Sequence, residues 1–241
     1  SLIERARDEC RAVAVSIFVN PRQFDDPADL ERYPRGEVRD LALCAEAGAD
    51  VVWVPGVDDV YPPGFDTSVT VERLALPLEG AARPGHFAGV TTVVAILFGI
   101  VRPDRAYFGE KDGQQLRVIG RMARDLHLTE VVRCPTVREP DGLALSSRNV
   151  HLAAEDRAAA PVLRRALLAG RAAWADGERD AAVVRGRVSA VLATEPRAAV
   201  EYVSCADDAT LAELARIDRP ALLSLAVRFG TTRLIDNVLL G

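Results

Sequence analysis

The chain has 241 residues, of which 49% are hydrophobic, and this is enough apolar surface to fill one large core or two unequal ones. Its formal net charge of -5 comes from acidic and basic residues mixed along the whole length, so it offers no basic stripe for phosphates and we predict no nucleic-acid partner. The longest apolar run, residues 93–101, falls short of the roughly 20 residues that a membrane-spanning helix needs. We therefore predict a buried helix there and no membrane insertion.

The cysteines and the first residues bear on the cellular compartment. The cysteines are spread singly without a C-x-x-C pair, which fits neither a zinc site nor a small disulfide framework; they are Cys10, Cys44, Cys134 and Cys205. The first residues lack the basic stretch and apolar core of a secretion signal. We therefore expect reduced thiols and a cytoplasmic protein.

The first half of the chain alternates between helical and strand-like segments. Apolar residues recur at helical spacing over residues 2–10, and residues 12–18 form a short apolar run typical of a strand buried on both faces. A helix over residues 38–47 ends at Gly48, and a strand follows over 50–54. Helices over 91–101 and 114–126 then alternate with strands over 105–108 and 130–134. This order predicts an α/β fold with a doubly wound parallel sheet that has helices on both faces.

The pattern changes after about residue 135. A polar loop over residues 138–149 leads to alanine-rich helical segments over 153–175 and 181–193, and then to strand-like runs over 200–203 and 221–227. Helices followed by strands predict a smaller C-terminal α+β domain. Doubly wound sheets usually place their first strand centrally, yet this chain opens on a helix, so we expect a strand upstream of Ser1.

Asn20 and Gln23 stand where the first predicted strand ends, and open parallel sheets bind ligands at the carboxyl ends of their strands. Both side-chain amides donate and accept hydrogen bonds without carrying a charge, which suits the hydroxyl and carboxylate groups of a small polar substrate. A turn at Pro21 whose neighbouring amides satisfy backbone groups is the alternative. The local sequence leaves both interpretations open.

A second polar segment, Phe108 to Asp112, follows a strong strand and opens a helix, where backbone N–H groups favour an anionic phosphate. Gly109 allows close approach, and Lys111 can neutralise a phosphate. Asp112 can bond a ribose or cap the helix, and Gln115 lies one turn later on the same rim. A turn capped by Asp112 explains that residue alone, but it explains the cluster less well.

A third polar segment holds Ser146, Ser147 and Arg148 in consecutive positions before a predicted helix. Arginine matches phosphate geometry with paired hydrogen bonds, so this segment predicts a phosphate clamp. A polar loop that caps the helix is the alternative.

The histidines and the common catalytic motifs add little. His86 has no nearby carboxylate partner in the sequence, so we interpret it as structural rather than as a general base, and we expect His127 and His151 at the surface. No Ser/His/Asp set is legible, and the phosphate-loop and dinucleotide-binding glycine motifs are absent.

Six segments resemble the pantothenate synthetases in their order and spacing. They are residues 16–24 (SIFVNPRQF), 32–35 (RYPR), 78–80 (LEG) with 83–90 (RPGHFAGV), 109–112 (GEKD) with Gln114 and Gln115, 141–149 (DGLALSSRN), and 232–237 (TRLIDN). Each segment is a weak signal alone, but six in order cover nearly the whole chain.

The resemblance implies a Rossmann-like nucleotide- and pantoate-binding domain over residues 1–136, without its first strand, and a C-terminal lid or clamp domain over residues 137–241. It implies a ligase, usually a homodimer, that condenses pantoate with β-alanine to pantothenate and cleaves ATP to AMP and pyrophosphate. The reaction would pass through a pantoyl adenylate, and Mg²⁺ is expected with the ATP.

The resemblance also implies roles for single residues. Gln23, Gln115 and Asn20 would bind pantoate, with Gln23 also close to β-alanine. The catalytic set would be Lys111, Ser146, Ser147 and Arg148. The ATP-binding set would be Gly109, Glu110, Lys111, Asp112, Val137, Leu145, Ser146, Ser147 and Arg148, and Asp40 matches a metal position.

Three departures accompany the resemblance. Arg22 stands where methionine is common and Gly113 where an aromatic residue is usual, so we expect a looser rim of the pantoate site and a looser helix start. The His-x-Gly-His motif of this superfamily would lie just before Ser1, and we expect it upstream.

Two alternatives stay open. One is another adenylyl or cytidylyl transferase of the same superfamily, against which the neutral Gln23 and Gln115 argue, because a phosphorylated substrate would call for lysines or arginines. The other is an inactive, truncated relative.

Overall fold

The computed structural model describes residues 2–24, 30–31 and 33–241. Arg32, which belongs to one of the six segments, lies outside the described residues. The chain divides into two compact units, which we call the N-terminal unit (Ser1–Gly109 with Gln115–Cys134) and the C-terminal unit (Glu110–Gln114 with Pro135–Gly241). No helix in the described ranges is both long enough and apolar enough to cross a bilayer.

Helices and parallel strands alternate along the first part of the chain. In order they are α1 Leu2–Glu9, β1 Ala14–Ser16, a 3-10 turn Pro21–Gln23, α2 Glu37–Glu46, β2 Val51–Trp53, α3 Val57–Val60, α4 Glu79–Ala82, α5 His86–Val101, β3 Arg105–Gly109, α6 Gly113–Asp125 and β4 Glu130–Cys134. The short helices α3 and α4 were not predicted from the sequence.

The four predicted parallel strands are all present. Strand β1 pairs with β2 and β3 pairs with β4, so that the described residues form two separate two-stranded parallel sheets. The expectation that the first strand is buried on both faces is wrong, because Ala14 and Ser16 are exposed. Val13, just before the strand, is buried, so only part of the apolar run over residues 12–18 is shielded from solvent.

Two helices show how the sequence sets the packing of the N-terminal unit. Helix α5 starts at His86, earlier than predicted, after Gly85 in the left-handed conformation at φ 87°. Its middle is buried but its last turn is exposed, so the predicted buried run is covered only in part. Helix α6 buries Leu116, Ile119 and Met122, which recur at helical spacing and form its apolar face.

The C-terminal unit contains helices and one antiparallel sheet. After a 3-10 turn at Ser147–His151 come α7 Ala154–Ala159, α8 Val162–Ala175, α9 Ala181–Leu192, β5 Ala199–Asp207, β6 Ala221–Phe229 and β7 Thr232–Leu240. The helix predicted over residues 153–175 is interrupted at Pro161, since proline lacks the N–H that a continuing helix needs. The strands lie in the order β5-β6-β7.

The core of the C-terminal unit is one cluster of buried side chains. Leu163 and Leu167 on α8 and Val184 on α9 belong to the same buried cluster as Leu223 and Leu225 on β6. Central strand β6 is buried at eight of its nine positions, because it has a strand on either side and helices against it. The predicted fold class, α/β with a parallel part and a smaller C-terminal α+β domain, is confirmed.

Candidate active site

The turn after β1 is organised by the side chain of Asn20, which is only 2% exposed. Its Oδ1 accepts hydrogen bonds from the Arg22 backbone N–H at 3.2 Å and from the Tyr61 hydroxyl at 2.8 Å. Its Nδ2 donates to the carbonyl of Gly89 and to Gln23 Oε1, both at 3.1 Å. Asn20 therefore caps the 3-10 turn and also orients the side chain of Gln23, so the two predicted substrate-binding residues are in direct contact.

The backbone of Gln23 is held from the start of α5. Arg83 Nη2 and His86 Nδ1 both donate to the Gln23 carbonyl at 2.8 Å, and Arg83 Nη1 lies 3.5 Å from His86 Nε2. Because a carbonyl only accepts hydrogen bonds, the contact with Gln23 places a proton on Nδ1 of His86. Both ring nitrogens of the buried His86 thus serve the turn, as expected for a structural histidine, and His127 and His151 are exposed.

The turn also requires a glycine on the facing helix. A Cβ atom at Gly89 would lie 2.1 Å from the carbonyl oxygen of Arg22, which is backbone and cannot swing aside. The absence of a side chain at Gly89 therefore lets the turn and α5 approach each other closely.

Arg22 is exposed, yet it is held by aromatic side chains. Its guanidinium lies 5.3 Å from the ring centre of Tyr61 and 5.2 Å from that of Phe65, and its Nη1 donates to the Thr67 carbonyl at 3.4 Å. Burial raises the pKa of Tyr61, and the positive charge of Arg22 opposes that rise. These contacts do not support the looser rim of the pantoate site that we expected at Arg22. The arginine packs on two aromatic rings beside the turn.

Lys111 is the only lysine in a sequence that otherwise uses 29 arginines as its basic residues. Its side chain is 21% exposed, and its Nζ lies 2.9 Å from Asp112 Oδ1. Asp112 is therefore an ion-pair partner of Lys111. An ammonium group is a compact charge with three donors, whereas a guanidinium is a planar fork, so the exchange of one for the other at this position changes the chemistry.

The segment around Lys111 is fastened by Asn237 on β7. Asn237 Nδ2 donates to the carbonyls of Glu110 at 2.8 Å and Lys111 at 2.9 Å. A Cβ atom at Gly113 would lie 2.9 Å from the same Nδ2 atom and 3.3 Å from Leu222 Cδ1. The predicted loosening of the helix start is therefore wrong, since the buried Gly113 leaves room for a close contact with Asn237.

Val137 and Leu145 lie on the two arms of a hairpin in the C-terminal unit. The Leu145 N–H donates to the Val137 carbonyl at 3.0 Å, and the turn between the arms contains Gly142 at φ 90°. Both side chains are about half exposed, at 53% for Val137 and 50% for Leu145, which leaves their apolar surfaces accessible to a ligand. Hydrogen bonding to Arg157 lowers the pKa of Asp141 at the turn.

The predicted clamp follows the hairpin directly. Ser146 caps the 3-10 turn Ser147–His151, because its Oγ accepts from the Arg148 N–H at 3.2 Å. Ser147 is exposed, and Arg148 is half-buried. Helix capping, which was the alternative to a phosphate clamp, is thus present for Ser146. It does not involve the side chain of Ser147.

A pocket of about 220 Å³, part of it open to solvent, lies within the C-terminal unit. Its lining includes Lys111, Ala144, Ser146, Asn149 and Asp236. Asn149 Oδ1 is buried and has no hydrogen-bond partner within the described ranges. The pocket therefore combines one cation, one carboxylate, one hydroxyl and an available amide acceptor with apolar side chains such as Leu143 and Leu163.

Gln115 and Asp40 are the predicted site residues whose positions give the least support to their predicted roles. Gln115 lies on the first turn of α6, half-buried, and makes no hydrogen bond to Asn20 or Gln23 in the described part of the chain. Asp40 lies on the first turn of α2. No group of three or more His, Cys, Asp or Glu side chains in the described ranges is arranged to hold a metal ion.

Two contacts of the site were not anticipated from the sequence. Tyr61 was given no role, and Asn237 appeared only as part of a matching segment. Tyr61 lies 41 residues from Asn20 and Asn237 lies 126 residues from Lys111, so only the folded chain brings these pairs together.

Comparison with known proteins assigns the family. The family model described as pantoate-beta-alanine ligase matches residues 1–239. A pantothenate synthetase from Chloroflexus aurantiacus is 59% identical over 242 residues, which cover 100% of this chain and 86% of that relative. A similar protein from Geobacter sulfurreducens is 50% identical, with the same coverage.

Solved structures agree with the sequence comparison. The crystal structure of pantothenate synthetase from Thermus thermophilus superposes with a TM-score of 0.95 at 51% identity, over 98% of this chain and 86% of that chain. A pantoate-beta-alanine ligase from Francisella tularensis, complexed with beta-gamma ATP and beta-alanine, gives 0.78 at 33% identity, over 99% of this chain and 83% of that chain. This chain belongs to the pantoate-β-alanine ligase family.

Proposed function

We propose that the protein is a ligase that condenses pantoate with β-alanine to form pantothenate and cleaves ATP to AMP and pyrophosphate. The observation that carries this proposal is family membership over residues 1–239. The related Francisella tularensis enzyme, whose structure was determined with an ATP compound and β-alanine, supports two of the three substrates.

The proposed reaction has two steps. An oxygen of the pantoate carboxylate attacks the α-phosphorus of ATP, the bond from that phosphorus to the bridging oxygen breaks, and pyrophosphate leaves. The amine of β-alanine then attacks the acyl carbon of the pantoyl adenylate, the bond from that carbon to the AMP oxygen breaks, and the amine nitrogen gives up its surplus protons to solvent. Atoms and charges balance without any oxidant or reductant.

In this proposal Asn20, Gln23 and Gln115 bind pantoate. The hydrogen bond from Asn20 Nδ2 to Gln23 Oε1 supports it, because it brings two of these amides together and fixes the orientation of the Gln23 side chain. Neutral amides also suit the chemistry, since a cation in direct contact would stabilise the ground-state carboxylate that must act as the nucleophile.

The proposed phosphate contacts are Lys111, Ser146, Ser147 and Arg148. The shared pocket of Lys111 and Ser146 supports this assignment. A positive group near the leaving pyrophosphate stabilises the charge that develops there, and such an interaction accelerates the reaction because it strengthens toward the transition state. The other proposed nucleotide contacts are Gly109, Glu110, Asp112, Val137 and Leu145.

The two parts of the chain that the family resemblance distinguishes have separate proposed roles. We place nucleotide and pantoate binding in residues 1–136 and a lid or clamp function in residues 137–241. A homodimer and a cytoplasmic location complete the proposal.

Mg²⁺ would enter this site as an ion carried by the nucleotide. Magnesium in ATP-using enzymes is commonly held by one or two carboxylates together with phosphates and water, so it does not require a cluster of protein ligands. Asp40 would supply such a carboxylate. When bound, the ion would screen the triphosphate and stabilise the charge on the departing pyrophosphate.

The proposal is tested by the pantoate-dependent exchange of labelled pyrophosphate into ATP, measured with the protein in its natural full length. We expect exchange with pantoate, and a loss of roughly a hundredfold or more in Lys111→Ala. Arg121→Ala is the matched control, because it also removes one positive charge but from an exposed ion pair with Asp125. Exchange with another acid but not with pantoate would identify a different transferase of the same superfamily.

A further inference from the structure

Strand β7 carries two consecutive polar side chains that are almost fully buried, Asp236 at 3% exposure and Asn237 at 8%. Burying such groups destabilises a protein unless they are hydrogen-bonded, so the groups they bind indicate why they are there. Neighbouring residues of a strand point to opposite faces, and the two side chains accordingly bind different segments.

Asn237 binds the segment that carries Lys111. A side-chain amide has two N–H donors, and Asn237 directs Nδ2 at the carbonyls of Glu110 (2.8 Å) and Lys111 (2.9 Å). These two carbonyls belong to the peptide groups on either side of the Lys111 Cα atom. The bonds therefore fix the backbone at Lys111 without involving its ammonium group, which pairs with Asp112.

Asp236 binds the hairpin that leads to the clamp. Its carboxylate receives two hydrogen bonds from Arg138, at 2.7 Å and 2.9 Å, and Arg138 also donates to the Gly142 carbonyl at 3.0 Å. The same carboxylate accepts the N–H of Asn237 at 2.8 Å. Paired bonds of this kind fix an arginine in direction as well as in distance, so they also fix the hairpin arm next to Val137.

We propose that Asp236 and Asn237 are positioning residues that hold two nucleotide-contacting segments, residues 110–112 and 137–148, in alignment on one strand. The inference rests on the proposed function for the identity of the ligand. It goes beyond that function by assigning alignment of the phosphate contacts to two residues that belong to neither the proposed nucleotide-binding set nor the proposed pantoate-binding set.

The test uses Asn237→Ala and Asn237→Asp, the second of which keeps the shape but loses both donors. Ser224→Ala is the matched control. Ser224 lies opposite Asn237 in the strand register, it is buried, and its hydroxyl has no partner among the described residues. Each change at Asn237 is also made in a Lys111→Ala background, in natural full-length protein.

We expect Asn237→Ala to slow pyrophosphate exchange and to weaken Mg-ATP binding by about tenfold each, because two hydrogen bonds to the Lys111 segment are lost. The Michaelis constant for pantoate should stay within about twofold. In the Lys111→Ala background the same change should cost less than about twofold, since Asn237 acts through Lys111. Ser224→Ala should match the unmodified protein.

An equal loss in both backgrounds would show that Asn237 only stabilises the fold, and so would a loss that follows the unfolding temperature. Either result would overturn the inference, as would an Asn237→Ala variant that behaves like Ser224→Ala. Absence of exchange with pantoate in the unmodified protein would instead overturn the proposed function. Calorimetric Mg-ATP binding by the same variants would then still decide the role of Asn237.

Discussion

Replacing Gly89 with alanine should displace the turn that carries Gln23. The new methyl carbon would lie 2.1 Å from the Arg22 carbonyl oxygen, which is more than about 1 Å inside ordinary contact. The carbonyl belongs to the backbone of the turn and the methyl group to helix α5, so either the turn or the helix has to move. Gly99, in the same helix, has nothing within 4 Å of the position of a Cβ atom and serves as the matched control.

The magnitude follows from comparing the two variants. Alanine in a helix gains up to about 1 kcal/mol over glycine, and this gain applies to both variants and cancels in their difference. What remains is the cost of overpacking, typically about 1–3 kcal/mol. Gly89→Ala should therefore have a free energy of unfolding lower than that of Gly99→Ala by about this amount.

Urea unfolding of both variants measures this difference, and the Michaelis constant for pantoate measures the displacement of Gln23. We expect Gly89→Ala to raise that constant at least severalfold, while Gly99→Ala leaves it unchanged. Equal stability of the two variants, together with an unchanged constant in both, would refute the argument that the turn depends on close backbone approach at Gly89.

Three further predictions concern single side chains. Tyr61→Phe removes the 2.8 Å hydrogen bond to Asn20 and should lower the free energy of unfolding by about 1 kcal/mol. It should also raise the Michaelis constant for pantoate severalfold in steady-state kinetics. An unchanged constant would count against the role of this bond. Arg138→Ala removes the guanidinium that pairs with the Asp236 carboxylate, which is 2% exposed, and should cost about 3–5 kcal/mol in urea unfolding. A loss below about 1 kcal/mol would contradict a buried pair. Burial raises the pKa of Cys205 from 9.0 to about 11, so the unfolded thiol ionises first and stability should fall by up to about 2–3 kcal/mol as the pH rises through that window. Unfolding at pH 8 and pH 11 should show a smaller fall in Cys205→Ala, and an equal fall would contradict the assignment.

Periodicity predicted much of the fold, because most elements take their pattern from one buried face. Strand β4 lies at Glu130–Cys134, as the alternation of helix and strand indicated. Strand β7 was missed as a strand, since Asp236 and Asn237 place two polar side chains in a segment whose other inward positions are apolar. Those side chains are buried because distant segments satisfy their hydrogen bonds, and periodicity carries no information about such partners.

The candidate site could be predicted in its chemistry but not in its supports. Asn20, Gln23 and Lys111 were recognisable because amides and a cation follow strands of a parallel sheet. Tyr61, Gly89 and the anchoring role of Asn237 depend on contacts across long sequence separations, which no local pattern encodes. The departure at Gly113 also reversed in meaning, since the small residue makes a tight contact rather than a loose one.

The assignment of Glu110–Gln114 to the C-terminal unit limits how this protein can be divided into modules. The covalent chain passes from one unit to the other after Gly109, after Gln114 and again after Cys134. A fragment that begins at Pro135 would keep Asn237 but lose Lys111, and a fragment that ends at Cys134 would keep Lys111 without its anchor. An exchange of C-terminal units between related enzymes would therefore have to transfer the Glu110–Gln114 segment as well, so the gene cannot be recombined here at a single junction.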